Sequence, residues 1–124
     1  GKISRGNRMP GLALGCYIDG RNGILFGENT WVGPSVKIIS MNHDSIDYEC
    51  YVEADPIQIG RDCWIAANAI ILPSVVLGDH TIVAAGSVVT KSFPDENQVI
   101  GGVPAGIIKK IEPYGNQSLN RDDV

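Results

Sequence analysis

Long apolar runs are missing from this chain of 124 residues. No stretch approaches the ~18 consecutive apolar residues of a membrane helix. No segment near the start reads as a signal peptide, so a cytoplasmic location is expected. The first residue is Gly1 rather than Met, which leaves room for a trimmed or longer natural chain. Aromatics are scarce at 6% while Gly reaches 15 residues, a balance that points to many turns rather than long helices. The three cysteines, Cys16, Cys50 and Cys63, are odd in number and lack paired spacing. They read as free thiols in a reducing compartment, and no metal is expected. Positive charge is also short. The net charge of -4 excludes nucleic acid as the main partner, because phosphate binding needs a basic surface. The shortage is local: residues 44–55 carry Asp44, Asp47, Glu49, Glu53 and Asp55 with no base among them.

What the chain does have is a rhythm of six. Position i of the unit is Leu14, Gly20, Phe26, Val32 and Ile38, and the phase restarts at Ile59, Ile65, Ile71, Leu77, Val83 and Val89. All but Gly20 are apolar. Position i+1 is mostly small, as at Gly27, Gly33, Gly60, Ala66, Gly78 and Ala84; position i+4 is small or β-branched, as at Ile18, Ile24, Thr30, Val36, Cys63, Ala69, Val75, Thr81 and Ser87. A period of six matches neither the helical 3.6 nor the strand's 2. It fits a short strand and a turn, repeated, with glycine at i+1 expected to supply the turn conformations. Three strands then close a triangular coil, with position i inward and i+4 filling the corners, and coils stack at ~4.8 Å.

The expected fold class is therefore all-β, one domain over residues 1–124. Residues 1–13 are a lead-in, 14–43 and 59–94 the repeats, 44–58 a projecting loop, and 95–124 a C-terminal segment and tail. Phe93 to Gly102 reads as leaving the repeat, and residues 103–111 as a short strand or helix laid on the outside. Pro113 to Val124 reads as a loose tail.

The hexad pattern resembles that of the hexapeptide-repeat family, whose fold is a left-handed parallel β-helix. The handedness comes from the resemblance, since parallel crossovers are ordinarily right-handed. Asn42-His43-Asp44, at the break in the rhythm, resembles the active-site histidine segment of hexapeptide O-acetyltransferases that use acetyl-CoA. Ile59-Gly60-Arg61-Asp62-Cys63-Trp64-Ile65-Ala66-Ala67-Asn68-Ala69, Val83-Ala84-Ala85-Gly86-Ser87-Val88-Val89-Thr90-Lys91 and Gly101-Gly102-Val103-Pro104-Ala105 are similar to three further segments of that family. Together they look like the maltose, galactoside and polysaccharide O-acetyltransferase branch.

The resemblance implies an acetyl-CoA-dependent transfer to a sugar or glycan hydroxyl, with His43 as general base, on a homotrimer whose sites lie between subunits. A hydroxyl is a weak nucleophile at neutral pH, and an imidazole of ordinary pKa ~6.5 is neutral enough to take its proton. Asn42, Asp44 and Asp19 are the expected acceptor contacts, with Asn22 a second upstream candidate. Trp64 is expected to border the site from a neighbouring subunit. Ala66, Ala67, Ala84 and Ala85 are implied along the pantetheine arm of coenzyme A, with Thr90, Lys91, Lys109 and Lys110 toward its nucleotide end. The basic residue that the family often places after the Val-Pro-Ala turn is Gly106 here. Cys63 falls at an inward position and reads as core filler rather than nucleophile. His80 reads as a solvent-exposed, idle turn residue. The group that orients His43 is left open between a loop carboxylate and a main-chain carbonyl. Serine or xenobiotic acceptors remain alternatives, as does a scaffold that binds no coenzyme. A zinc hydratase on the same scaffold would need three histidines, and the chain has two.

Overall fold

Apolar residues at two of every six positions fold as very short strands separated by turns. A computed structural model describes residues 3–4 and 15–115. After β1 (Ile3–Ser4) come β2 (Tyr17–Asp19), β3 (Ile24–Phe26) and β4 (Trp31–Val32). The next turn of the coil holds β5 (Lys37–Ile39), a hairpin of β6 (Asn42–His43) and β7 (Tyr51–Val52), then β8 (Ile57–Ile59) and β9 (Trp64–Ile65). It continues through β10 (Ile70–Ile71), β11 (Val76–Leu77), β12 (Thr81–Val83), β13 (Val88–Val89), β14 (Gln98–Gly102) and β15 (Ala105–Lys110). The strands form three faces in the orders β1-β3-β8-β11, β2-β5-β10-β13 and β4-β9-β12-β14-β15. Every pairing on these faces is parallel except β14 with β15. This is the expected all-β, parallel β-helical fold, with one projecting loop and a short C-terminal segment.

Stacking brings equivalent positions into one column. Ile71 pairs in register with Ile38 on one side and Val89 on the other, and Ile59 with Phe26 and Leu77, so like side chains pile along the axis. Position i and position i+4 together form the core: Ile24, Val36, Ile38, Cys63, Ile65, Ala69, Ile71, Val83 and Val89 are fully buried. Each large aliphatic among them contributes roughly 1.5–3 kcal/mol on burial. The hydroxyls at i+4 are buried because they are satisfied locally. Thr81 Oγ1 donates to the Gly78 carbonyl at 2.8 Å and Ser87 Oγ to that of Ala84 at 2.7 Å.

The turn chemistry differs from the expectation. The left-handed backbone falls at i+3, on Asn29, Ser35, Asp62, Asn68, Ser74 and His80, with φ between 53° and 66°. Asn and Asp tolerate that region better than other residues with a side chain, so the code for the turn is a polar residue at i+3. Glycine at i+1 serves close approach instead. A Cβ on Gly78 would lie 2.4 Å from the Pro94 carbonyl oxygen, and one on Gly27 2.4 Å from the Gly60 carbonyl carbon.

The phase of the first coil is also corrected. Ile18, not Gly20, pairs with Ile38, and Tyr17 pairs with Lys37 twenty residues on. The regular step is eighteen, as from Gln58 to Val76 and from Trp64 to Ile82. Two additional residues therefore sit in the turn between Asp19 and Ile24. The step from Lys37 to Ile70 is thirty-three, an excess of fifteen, and that insertion holds the hairpin. Both insertions lie at the same corner, on successive coils.

Phe93 to Gly102 does not leave the repeat. Phe93 is buried and bridges Leu77 in parallel, and β14 stacks on β12 with Thr81 opposite Gln98. These steps are sixteen and seventeen, which is why a six-residue phase loses them. β15 is a strand, antiparallel to β14, and covers the last edge of its face, where an open row of backbone groups would otherwise invite pairing. The lead-in apart from β1, the repeat position Leu14, and the tail from Asn116 onward lie outside the described residues.

Candidate active site

His43 stands on β6, exposed, in the hairpin that projects where the rhythm breaks. β6 and β7 pair antiparallel, Asn42 with Val52 and His43 with Tyr51. Asp44 starts the turn between them: its Oδ1 accepts from the amides of Ile46 at 2.7 Å and Asp47 at 3.2 Å. Asp44 thus shapes the turn that holds its neighbour, an ordinary use for an Asp side chain. The loop returns to place the Tyr48 carbonyl 2.6 Å from His43 Nδ1. A carbonyl only accepts, so Nδ1 carries the proton and donates it, and Nε2 keeps its lone pair. The open question of the orienting group is answered by the main chain rather than by a loop carboxylate. The imidazole also lies 4.9 Å from the Tyr51 ring, centroid to centroid.

Asp19, expected as an acceptor contact, is already engaged. It is buried, and Arg21 Nε donates to both of its carboxylate oxygens, at 2.9 and 3.0 Å. That guanidinium holds the Asp19 carboxyl below its ordinary value, against the opposing effect of burial. Asn22 is likewise engaged. Its Nδ2 donates to the Ser40 carbonyl at 2.9 Å and to that of Val52 at 3.3 Å. Lys110 is committed to Gln98 Oε1 and, at 3.6 Å, to Asp95. Lys91 lies over the Phe93 ring at 5.6 Å, while Lys109 and Thr90 are exposed.

The remaining expected residues fall on other parts of the prism. Ala66, Ala67, Ala84 and Ala85 occupy the corner between the β9–β12 face and the β10–β13 face. His43 and the pair Thr90 and Lys91 occupy the corner after the β5–β10–β13 face. Trp64 is 54% exposed on its face, in register with Trp31 and Ile82. Next to this aromatic column lies a cavity of about 350 Å³, bordered also by Asp62, His80 and Tyr114. His80 is not idle: its Nδ1 is 2.9 Å from Asn97 Oδ1 and its ring meets that of Tyr114 edge-on. Tyr114 in turn accepts a bond from Asn29 Nδ2 at 2.8 Å, which ties the end of the described chain to its first coil. A second cleft, about 560 Å³, lies at the foot of the hairpin between Val52–Asp55 and the turn at Pro73 and Ser74.

Cys16, Cys50 and Cys63 are all free thiols. Burial pushes Cys63 up to about 11, so the thiolate needed for nucleophilic attack is suppressed. Among the described residues no group of three or more His, Cys, Asp or Glu is placed to hold a metal ion, and no helix is long and apolar enough to cross a membrane. Sequence reasoning missed Arg21, whose side chain lies over the Tyr51 ring. The available signal was Gly20, the single polar-phase misfit in the hexad, which marks the two additional residues.

Residues 56–91 match the family model "Bacterial transferase hexapeptide (six repeats)". The galactoside O-acetyltransferase of Escherichia coli K12 is 34% identical over 92 residues, 71% of this chain and 44% of that protein. Among solved structures, a galactoside acetyltransferase in complex with coenzyme A is 29% identical with a TM-score of 0.75, covering 86% of this chain and 55% of that one. A maltose O-acetyltransferase from Clostridium difficile 630 is 28% identical with a TM-score of 0.69, covering 90% and 71%. The chain spans about half the length of the curated relatives it matches.

Proposed function

We propose that this chain, a member of the hexapeptide-repeat transferase family, moves an acetyl group from acetyl-CoA to a hydroxyl of a sugar or glycan, with His43 as general base. The observation that carries the reading is the bond from His43 Nδ1 to the Tyr48 carbonyl, which leaves Nε2 as a proton acceptor on an exposed hairpin. In the reaction Nε2 takes the hydroxyl proton as the oxygen attacks the thioester carbon. The tetrahedral intermediate then collapses with loss of the C–S bond, and the imidazolium returns the proton to the departing sulfur. Main-chain N–H groups are the simplest donors for the transient oxyanion. No acyl-enzyme is involved, in keeping with the buried, protonated state of Cys63.

The cleft at the foot of the hairpin is of the size that takes a small ligand, and Glu53 and Asp55 on its wall favour a neutral or cationic acceptor over a polyanion. The alanine corner suits an extended thioester arm, because Ala85 and Gly86 are exposed and a Cβ at Gly86 would meet nothing within 4 Å. Lys109 and Lys91 are the cations proposed for the phosphates; Lys110 is the weaker candidate, being paired. His43 and the alanine corner belong to different edges of one prism, so a complete site needs a second copy. The exposed Trp31 and Trp64 column supplies an apolar face for it, and a homotrimer with Trp64 beside the neighbour's His43 is the proposed assembly. Thiol release from acetyl-CoA with maltose, a methyl galactoside and serine as acceptors tests the activity. His43→Ala is expected to lose at least 100-fold in turnover with its thermal midpoint unchanged, the loss ordinarily seen on removing a general base, roughly 10²–10⁴-fold. Retained turnover in that variant sinks the mechanism.

A further inference from the structure

The hairpin that presents His43 is a poor structure on its own. Its two strands hold two residues each, and an isolated two-stranded hairpin is marginal in water. Something outside it must hold it. The two additional residues of the first coil, Arg21 and Asn22, lie at the same corner, directly beside its base. Asn22 bridges both legs, donating through Nδ2 to the carbonyls of Ser40 and Val52, while its amide donates to Ser40 Oγ at 2.9 Å.

Arg21 reaches the other end of the problem. Its guanidinium is locked by the buried Asp19 carboxylate through Nε, and its own amide donates to Asp19 Oδ1 at 3.1 Å. So held, Arg21 Cζ sits 5.0 Å from the centre of the Tyr51 ring, and Tyr51 is the ring that packs on His43. Arg21 remains a cation when paired with Asp19, and the Tyr51 hydroxyl also acts on it, so it engages Tyr51 both at the ring and at the phenol oxygen. A guanidinium stacks on an aromatic face in a way that an ammonium does not.

We infer that Arg21 is a positioning residue for His43, acting through Tyr51. The inference rests on the reading of His43 as the base. In it, the imidazole is held at its edge by the Tyr48 carbonyl and at its face by Tyr51, and Tyr51 is held by Arg21. Loss of Arg21 frees Tyr51, and with it the ring orientation that keeps the proton on Nδ1. A displacement of about 1 Å at a catalytic group costs on the order of 10²-fold in rate.

The test uses the full chain labelled with ¹⁵N-histidine, in which His43 and His80 are the two histidines and a His80→Gln control assigns them. The nitrogen shifts report the tautomer. The wild type is expected to hold His43 with the proton on Nδ1; Arg21→Gln and Tyr51→Ala are expected to give a mixture, and Tyr51→Phe, which keeps the ring, to stay closer to the wild type than Tyr51→Ala. Arg21→Lys, which retains the charge and the Asp19 pair but not the plane, should restore less than half of the effect. In thiol release with maltose, Arg21→Gln and Tyr51→Ala should each lower kcat about 10- to 100-fold with the KM for acetyl-CoA unchanged. The double variant should be no worse than the poorer single, as residues acting on one chain of contacts are not additive. Wild-type nitrogen shifts in Arg21→Gln, or additive losses in the double variant, overturn the inference. So does a raised KM for maltose at unchanged kcat, which would make Arg21 an acceptor contact. Tyr51 is half exposed, so its variants fold even if Arg21→Gln does not. If His43→Ala keeps turnover while the shifts behave as expected, the base reading fails and the positioning contact stands.

Discussion

A single methyl group added at Gly78 tests whether the i+1 glycines are there for close approach. In Gly78→Ala the new Cβ would lie 2.4 Å from the Pro94 carbonyl oxygen, 2.5 Å from that of Asp95 and 2.8 Å from the Asp95 carbonyl carbon. All three are backbone atoms of the next coil, so no side chain can swing aside. Relief requires that the turn at Pro94 and Asp95 move off the coil beneath it. That movement strains or breaks the bond from the Gly78 amide to the Phe93 carbonyl, now 2.9 Å. The lost bond costs about 0.5–1.5 kcal/mol and the overpacking about 1–3 kcal/mol, so a destabilisation of about 2–4 kcal/mol is expected. Urea unfolding of both variants at one fixed protein concentration measures it, since stability would depend on concentration in the proposed trimer. Gly106→Ala is the control: a Cβ there meets nothing within 4 Å and its φ is ordinary. That variant should fall within about 0.5 kcal/mol of wild type. Equal midpoints for the two variants would refute the reasoning.

Two further predictions follow from burial and charge. Iodoacetamide at pH 8 should alkylate exposed Cys50 in the folded protein and leave Cys63, pushed up to about 11 by burial, unmodified until the chain unfolds; peptide mass spectrometry reads both sites, and equal labelling contradicts the placement. Asp19→Asn should cost stability most at neutral pH. Arg21 lowers the folded value of Asp19 below 3.8, so the pair's contribution is full above that pH and is lost as pH falls through the lower, folded value. The gap between wild type and variant in chemical denaturation should therefore narrow on acidification; a gap that widens rules the ion pair out as its source.

The core was legible residue by residue. Ile59, Ile65, Ile71, Leu77, Val83 and Val89 repeat every six, and every one of them is buried at the axis. The exposed place of His43 on a projecting loop was legible too, because the rhythm stops there. Its partners were not. Tyr48 and Tyr51 lie in the same loop, yet which one offers a carbonyl and which a ring depends on how the loop folds back. Arg21 is twenty-two positions away from His43, and its relation to the hairpin appears only when Ile18 is paired with Ile38 rather than in the expected phase. Asp19 was read as an acceptor contact, and nothing in a linear reading says that Arg21 curls back upon it.

A period of six with apolar residues at i and i+4 determines a stacked β-helix by itself, since burial of those two positions is satisfied by one geometry repeated along the chain. The division of labour at the turns was decided only in three dimensions: polar residues take the left-handed backbone at i+3, and glycines make room at i+1 because the neighbour they must admit is a full coil distant in sequence. The same holds for the corner where two insertions meet. Lengths of two and fifteen residues are visible in the chain, but their contact follows from register, and register is a property of the stack. It is that contact which sets Arg21, Tyr51 and His43 in a row, while the alanine corner lies on a different edge of the stack.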